Sequence, residues 1–335
     1  MLQTLQRMNV SGIKSIPESD FPADGSPTQK LAFAAKYASL APTEINWQPW
    51  KFRLTDTHLD LRTKNDPVQE VIDPDGRECM IGCGSALQYL TVAMKHFGCL
   101  GPVTLFPDLG EPELVARIQF GTGRDRQVRH LFDAMAGTRV SQLGEMPVSE
   151  AMLVALGQAA SGERGWLDFV LSEAGRQQLV EMAQANDHPW VNTYRSGLQA
   201  NNEVAGGPPA ASWRRSFLAF GDRAIDPEDA LDGADEPAGQ EPVPAAILGL
   251  VKTKTDDKHG WLAAGQAMAR TILQAQALGL SWAFFDPVRQ RSAREALRMG
   301  VGHKGFAQVI LRFGSLMAGH APAEAAIKFR FKSAQ

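Results

Sequence analysis

The sequence predicts an α+β protein made of two diverged copies of one unit joined in tandem, and three matched pairs of segments predict it. The stretch GSALQYLTVAMKHFG, Gly84 to Gly98, shares its length and end residues with GQAMARTILQAQALG, Gly265 to Gly279. The runs VTLFPD (103–108) and SWAFFDP (281–287) follow them, each a short apolar strand entering a turn at Pro and Asp. LVARIQFG, ending at Gly121, and AQVILRFG, ending at Gly314, then close each copy on Phe-Gly. A Gly-flanked helix followed by a strand is common in α/β chains, so the inference rests on all three pairs keeping one order.

Taken in chain order, the first copy opens with KYASLAPTEINWQPWKFRL (36–54): a helical stretch, an Ala-rich turn with Thr43, a tryptophan and an alternating apolar strand. Its counterpart ALGQAASGERGWLDFVL (155–171) has the helix, a turn with Ser161, Trp166 and a strand. The long helices place Leu87, Leu90 and Met94, and Met268, Ile272 and Ala275, at helical spacing, and each ends at a glycine suited to a left-handed C-cap. The expected halves are residues 1–128 and 129–335. They differ between the first strand and the long helix, where the second carries an insert from about Asn186 to Lys258. Its centre, GDRAIDPEDALDGADEPAGQEPVP (221–244), is rich in Asp, Glu, Pro, Gly and Ala and buries little apolar surface. It reads as an exposed loop, either a solvated connector or a lid over a site.

A chain of 335 residues is long enough for two domains. Its net charge of -3 and the lack of a basic stripe argue against nucleic acid or an anionic membrane as partner. The N-terminus lacks the apolar core of a signal peptide, and no run reaches the ~18 apolar residues of a spanning helix, so a cytoplasmic protein is expected. Cys79, Cys83 and Cys99 are an odd, sparse set that fits free thiols. The seven histidines are scattered, which makes a dedicated zinc site improbable. GCGS (82–85) is not a nucleophile elbow, no triad order is present and there is no P-loop, so no catalytic side chain is assigned.

The most distinctive string is APTEINWQPWKF, Ala41 to Phe52. Asn46 and Gln48 each donate and accept hydrogen bonds, as the edge of a planar cofactor requires, and Trp47 and Trp50 supply flat apolar surface. The same string also reads as a polar turn with a core tryptophan. It resembles the A-P-S-x-x-N-x-Q-P-W motif of the nitroreductase-like flavoproteins. DPDGRECMIGCGSALQYLTVAMKHFG (73–98) resembles the D-P-x-G-R-E and C-G-x-A-L stretch of the double-length, Acg-like branch of that family. With WLAAGQAMARTILQAQALGL (261–280) and AQVILRFG (307–314), the resemblance covers most of the chain.

The resemblance implies a mixed, largely antiparallel sheet flanked by helices in each half, and FMN held between two such units. Ordinary members are homodimers, so a tandem pair implies a monomer imitating the dimer. By the same resemblance, Pro42, Thr43, Asn46 and Gln48 form the ring-binding loop, and Arg139 and Ser141 form a phosphate box that lacks its second basic residue, Leu143 standing near that place. Lys328 and Arg330 would add charge to the phosphate site, and Phe285 and Asp286 would bring backbone groups to the flavin edge. The amide loop occurs only in the first half and the phosphate box only in the second, which leaves at most one complete site, itself degraded. The implied activity is electron transfer from NAD(P)H through FMN to a nitroaromatic, quinone or similar small molecule. The alternative is a non-catalytic member that binds or sequesters flavin or another ligand, since in the Acg-like branch the lid can fill the flavin pocket.

Overall fold

The computed structural model describes residues 7–8, 16–43, 48–64, 73–135, 143–144, 148–162, 164–171, 175, 178–179, 247–285, 291–300 and 304–316. The first helix, α1 (Pro27–Ala35), starts on a capping box. Ser26 Oγ accepts from Gln29 N at 3.3 Å, Gln29 Oε1 accepts from Ser26 N at 2.8 Å, and Pro27 takes the first helical position. A 3-10 turn, Lys36–Leu40, continues from it and delivers the chain to the Ala41–Thr43 loop. Two strands follow, β1 (Trp50–Leu54) and β2 (His58–Thr63), then the long helix α2 (Arg77–Phe97), β3 (Leu100–Leu105) and β4 (Leu114–Phe120).

A short helix α3 (Arg129–Ala134) precedes the second run: α4 (Glu150–Ser161), β5 (Gly165–Val170), β6 (Ile247–Thr253), α5 (Lys258–Ala277), β7 (Leu280–Phe285), α6 (Arg291–Gly300) and β8 (Phe306–Leu316). The first sheet has strand order β1-β2-β4-β3 and the second β5-β6-β8-β7, so equivalent strands hold equivalent places. A two-residue strand at Arg7–Met8 pairs with β1, and another at Leu143–Gly144 pairs with the end of β8. All pairings among the described residues are antiparallel, where a mixed sheet was expected.

The long helices begin and end alike. The Asp73 carboxylate accepts from Glu78 N at 3.0 Å and Cys79 N at 2.8 Å, which satisfies the first turn of α2. At α5, Asp257 accepts from His259 N at 3.0 Å and Gly260 N at 2.9 Å, and these N–H groups, that of Gly260 foremost, hold its carboxyl below the usual range. Gly98 (φ 69°) and Gly279 (φ 73°) close the two helices in the left-handed region. Gly84 and Gly265 are interior positions, because both helices begin seven residues earlier, at Arg77 and Lys258.

There α2 and α5 cross. A Cβ on Gly84 would lie 3.0 Å from Gly265 Cα and collide with the Leu262 carbonyl oxygen. A Cβ on Gly265 would lie 3.0 Å from Gly84 Cα and collide with the Ile81 carbonyl oxygen. The contact is the same from either side, since Ile81 and Leu262 each stand three residues before the crossing glycine. The cores interlock accordingly. Leu262, Ala269 and Leu273 of α5 pack into the first core with Leu61, Leu87 and Ile118, while Ile81 of α2 packs into the second with Leu156, Val251 and Phe313.

Two elements correct the order expected from the sequence. Each half has a second strand before its long helix, β2 and β6. Ile247–Thr253 was expected inside the insert, yet it is a central strand, buried from Leu248 to Thr253 and paired on both sides, by β5 and β8. Its run of apolar residues gains more from burial between two neighbours than an exposed loop would. The rest of the insert, through Ala246, lies outside the described residues.

Candidate functional site

The loop after the first 3-10 turn is fixed on α2. Ser85 Oγ, fully buried, donates to the Pro42 carbonyl oxygen at 2.8 Å, and Thr43 beside it is buried. Gly82 allows this approach, since a Cβ there would stand 2.8 Å from Pro49 Cγ and 3.5 Å from Thr43 Cγ2. The two ends of the loop thus converge on one bare patch of helix.

Facing it, from the second half, are Met268 of α5, Phe284 and Phe285 at the end of β7, and Gln308, Val309 and Ile310 of β8. Between the walls lies a narrow cleft, open to solvent, whose remaining lining is Arg77, Glu78, Ile81 and Gly82 of α2. Apolar walls with a few convergent polar groups are the kind of lining that small-molecule sites have.

The polar groups form one chain across the two halves. Arg77, 4% exposed, donates from Nε to Gln308 Oε1 at 3.3 Å, from Nη2 to the Gln308 carbonyl oxygen, and from Nη1 to Glu78 Oε1. Gln308 Nε2 donates in turn to Asp256 Oδ1 at 3.1 Å. Asp256 also accepts from Trp261 Nε1 at 2.8 Å and from Arg294 Nη2 at 3.1 Å. Burial alone would raise the Asp256 carboxyl, but hydrogen bonds from Trp261, Gln308 and Arg294 outweigh it and hold the group below its ordinary value. Burial, with the cation of Arg77 nearby, lowers the Arg294 guanidinium.

The corresponding place on the other side of the crossing is built differently. Lys258 and His259 begin α5 as Arg77 and Glu78 begin α2. There the end of β3 turns sharply at Phe106, which takes a left-handed φ of 47°. Its ring packs edge-on to His259 at 4.5 Å between centroids and lies 4.8 Å from Lys258 Nζ. An aromatic ring stands there against the start of the helix.

Of the residues expected at a site, Pro42, Thr43 and Phe285 meet in the cleft. Gln48 does not line it: its Nε2 donates to the Ser39 carbonyl oxygen at 2.9 Å, bracing the loop from behind. Asn46, Arg139, Ser141, Asp286, Lys328 and Arg330 lie outside the described residues. Arg77, Glu78 and Gln308 were not expected there. Arg77 and Glu78 stand in the D-P-x-G-R-E string, but nothing in that string reveals a partner 231 residues away. Among the described residues no group of His, Cys, Asp and Glu is placed to hold a metal ion, and no helix is long and apolar enough to cross a membrane.

No family model matches the chain. Three similar proteins are all from Mycobacterium tuberculosis (strain ATCC 25618 / H37Rv). One, named "Putative NAD(P)H nitroreductase Rv3131", is 30% identical over 305 residues, which span 82% of this chain and 81% of the relative. A second, named "Putative NAD(P)H nitroreductase acg", is 34% identical over 93 residues, or 28% of each chain. The third, named "Uncharacterized protein Rv3127", is 29% identical over 94 residues, or 27% of each.

Proposed function

The chain belongs to the nitroreductase-like family, and from that premise we propose that it is an FMN-dependent oxidoreductase that passes electrons from NAD(P)H to a nitroaromatic, a quinone or a similar flat acceptor. The observation that carries this reading is the position of the cleft. It takes Pro42 and Thr43 from one half and Phe284 and Phe285 from the other, so neither half makes it alone.

The described lining is compatible in kind with a flavin ring. The walls include Met268, Phe284, Phe285, Val309 and Ile310, apolar side chains of the kind that pack on a ring system, and the loop at Pro42 is pinned by Ser85. A pinned loop loses less freedom on binding than a mobile one. In this reading Asn46 and Thr43 hold the ring and ribityl edge, while Gln48 keeps the loop in place. Arg139 and Ser141 hold the phosphate with help from Lys328 and Arg330, and Phe285 and Asp286 face the reactive edge. Bound FMN would supply the hydride chemistry, and the chain would bind, orient and exclude water without a general acid or base of its own.

The repeated strand order and the reciprocal glycine crossing support a tandem duplication that places a dimer-type site inside one chain. The Phe106 ring, packed where the second cleft would open, supports one flavin per chain. The test is reconstitution with excess FMN followed by gel filtration. The expected product is yellow, carries about one flavin per chain, and bleaches on anaerobic addition of NADH or NADPH. A protein that stays colourless overturns the reading. Arg139→Ala should weaken FMN binding far more than Arg215→Ala, and equal retention by the two variants would remove Arg139 from the phosphate site.

A further inference from the structure

Two thiols that the flavin chemistry does not use share one face of α2. Cys79 and Cys83 stand four residues apart in the helix, and both are free. That spacing brings their Cβ atoms to within about 5–6 Å. Cys83 is fully buried in the first core, while Cys79 packs against the same core and keeps part of its surface in solvent. The Cys79 thiol donates to the Pro49 carbonyl oxygen at 3.9 Å, so the pair lies beneath the far end of the loop that begins at Pro42. Contact with the Cys79 thiol, and then burial, push the Cys83 thiol well above its ordinary value, so it keeps its proton at neutral pH. Cys99 cannot join them, because it lies past the other end of α2, about 20 Å along the helix from Cys83.

Two thiols so placed have a narrow chemistry. A disulfide needs Cβ atoms about 3.5–4.5 Å apart, closer than one turn of intact helix brings them. Among the described residues no third His, Cys, Asp or Glu stands with them to complete a metal-binding group. A single atom bonded to both sulfurs spans the wider gap, because the sulfurs need not then bond to each other. Trivalent arsenic carrying one organic group is such an atom. Its two arsenic–oxygen bonds break and two arsenic–sulfur bonds form. The two thiol protons leave with the oxygens as water, the arsenic stays trivalent, and nothing is oxidised or reduced. Neutral thiols suffice for this exchange, so the retained proton of Cys83 is no obstacle.

We propose that Cys79 and Cys83 form a dithiol site for monosubstituted trivalent arsenicals, entered at the partly exposed Cys79 and closed at the buried Cys83. The site stands apart from the oxidoreductase reading, since neither thiol is assigned to flavin. It still touches the loop, because the bridge consumes the proton that Cys79 gives to the Pro49 carbonyl.

The probe is phenylarsine oxide, added to the full chain as wild type, Cys79→Ser, Cys83→Ser and Cys99→Ser. Each is loaded, washed with excess glutathione and read by intact mass. Two thiols on one atom make the second bond intramolecular, which strengthens the hold by about a hundredfold or more over one thiol. The wild type and Cys99→Ser should therefore keep the phenylarsenic group through a wash that strips Cys79→Ser and Cys83→Ser. The concentration for half-loading should rise by about a hundredfold or more in those two variants. A wild type stripped by glutathione overturns the proposal, and so does a Cys79→Ser or Cys83→Ser variant that keeps the group. If either variant does not fold, the wild type decides alone. Tryptic digestion of the loaded chain should leave the group on the peptide Glu78–Lys95, which holds both thiols, and finding it on any other peptide overturns the assignment.

Discussion

Asp256 binds three side chains at once, Trp261, Gln308 and Arg294, and through Gln308 it supports the inward turn of Arg77 toward the cleft. Its carboxyl is held low in the folded protein, so the stability it contributes is complete above the unfolded value of about 3.9 and is lost as pH falls through the lower folded value. Arg294 is 1% exposed, so Asp256→Asn leaves a buried cation short of its counter-charge. The variant should lose on the order of 3 kcal/mol at neutral pH. The gap from wild type should close as the solution is acidified below about pH 3.9. Urea titrations across that range measure both effects, and parallel acid profiles would refute the assignment. At this scale the sequence is legible where chemistry is local. Pro42 and Thr43 stand in a recognisable loop string, and Phe285 ends a strand. The bond from Gln48 to the Ser39 carbonyl was not legible, because an amide in a loop string does not reveal which carbonyl it will meet. Arg77 and Gln308 were unreadable as partners because only the completed fold brings them together.

Two glycines of equal appearance in the sequence should respond oppositely to the same change. Gly84, at the crossing of α2 and α5, has the backbone of α5 where a methyl would go. Backbone does not rotate away as a side-chain tip does, so Gly84→Ala must push the helices apart, at a cost of about 1–3 kcal/mol. Gly265→Ala should cost a similar amount by the reciprocal contact. Gly157, inside α4, has nothing within 4 Å of its would-be Cβ. Gly157→Ala should stabilise the protein by about 0.5–1 kcal/mol, by lowering the entropy of the unfolded chain. Thermal melts of the three variants check this, and a stabilised Gly84→Ala would remove the close crossing. The ends of the long helices were legible because Gly98 and Gly279 are true left-handed terminators. Their beginnings were not, since DPDGRE and DDKHG carry charge where apolar spacing was sought. The strands β2 and β6 were missed for related reasons. His58–Thr63 has only two apolar residues, its Asp60 being buried against Arg117, and Ile247–Thr253 follows directly on a Pro- and acid-rich stretch.

For the molecule as a whole, the exchanged core residues decide how it unfolds. Leu262, Ala269 and Leu273 complete the first core, and Ile81 completes the second. A fully buried leucine contributes about 1.5–3 kcal/mol, a large share of the 5–15 kcal/mol that stabilises a typical domain. Neither half should therefore hold its native packing alone. Residues 1–128 expressed separately should show helical far-UV circular dichroism without near-UV structure, and the full chain should unfold in one transition with coincident fluorescence and far-UV midpoints. A separately folded N-terminal half, or two resolved transitions, would contradict the interlocked arrangement. The cleft sharpens this expectation, because it exists only where the halves meet. A ligand that binds there stabilises whatever unfolds together with the site, by about 2.7 kcal/mol at a hundredfold excess over its Kd. FMN at that excess should move the single transition as one, in the fluorescence of the seven tryptophans, which both halves carry, and in the far-UV signal of the helices alike. A shift confined to one signal would mean that the halves are energetically separate and that the site belongs to only one of them.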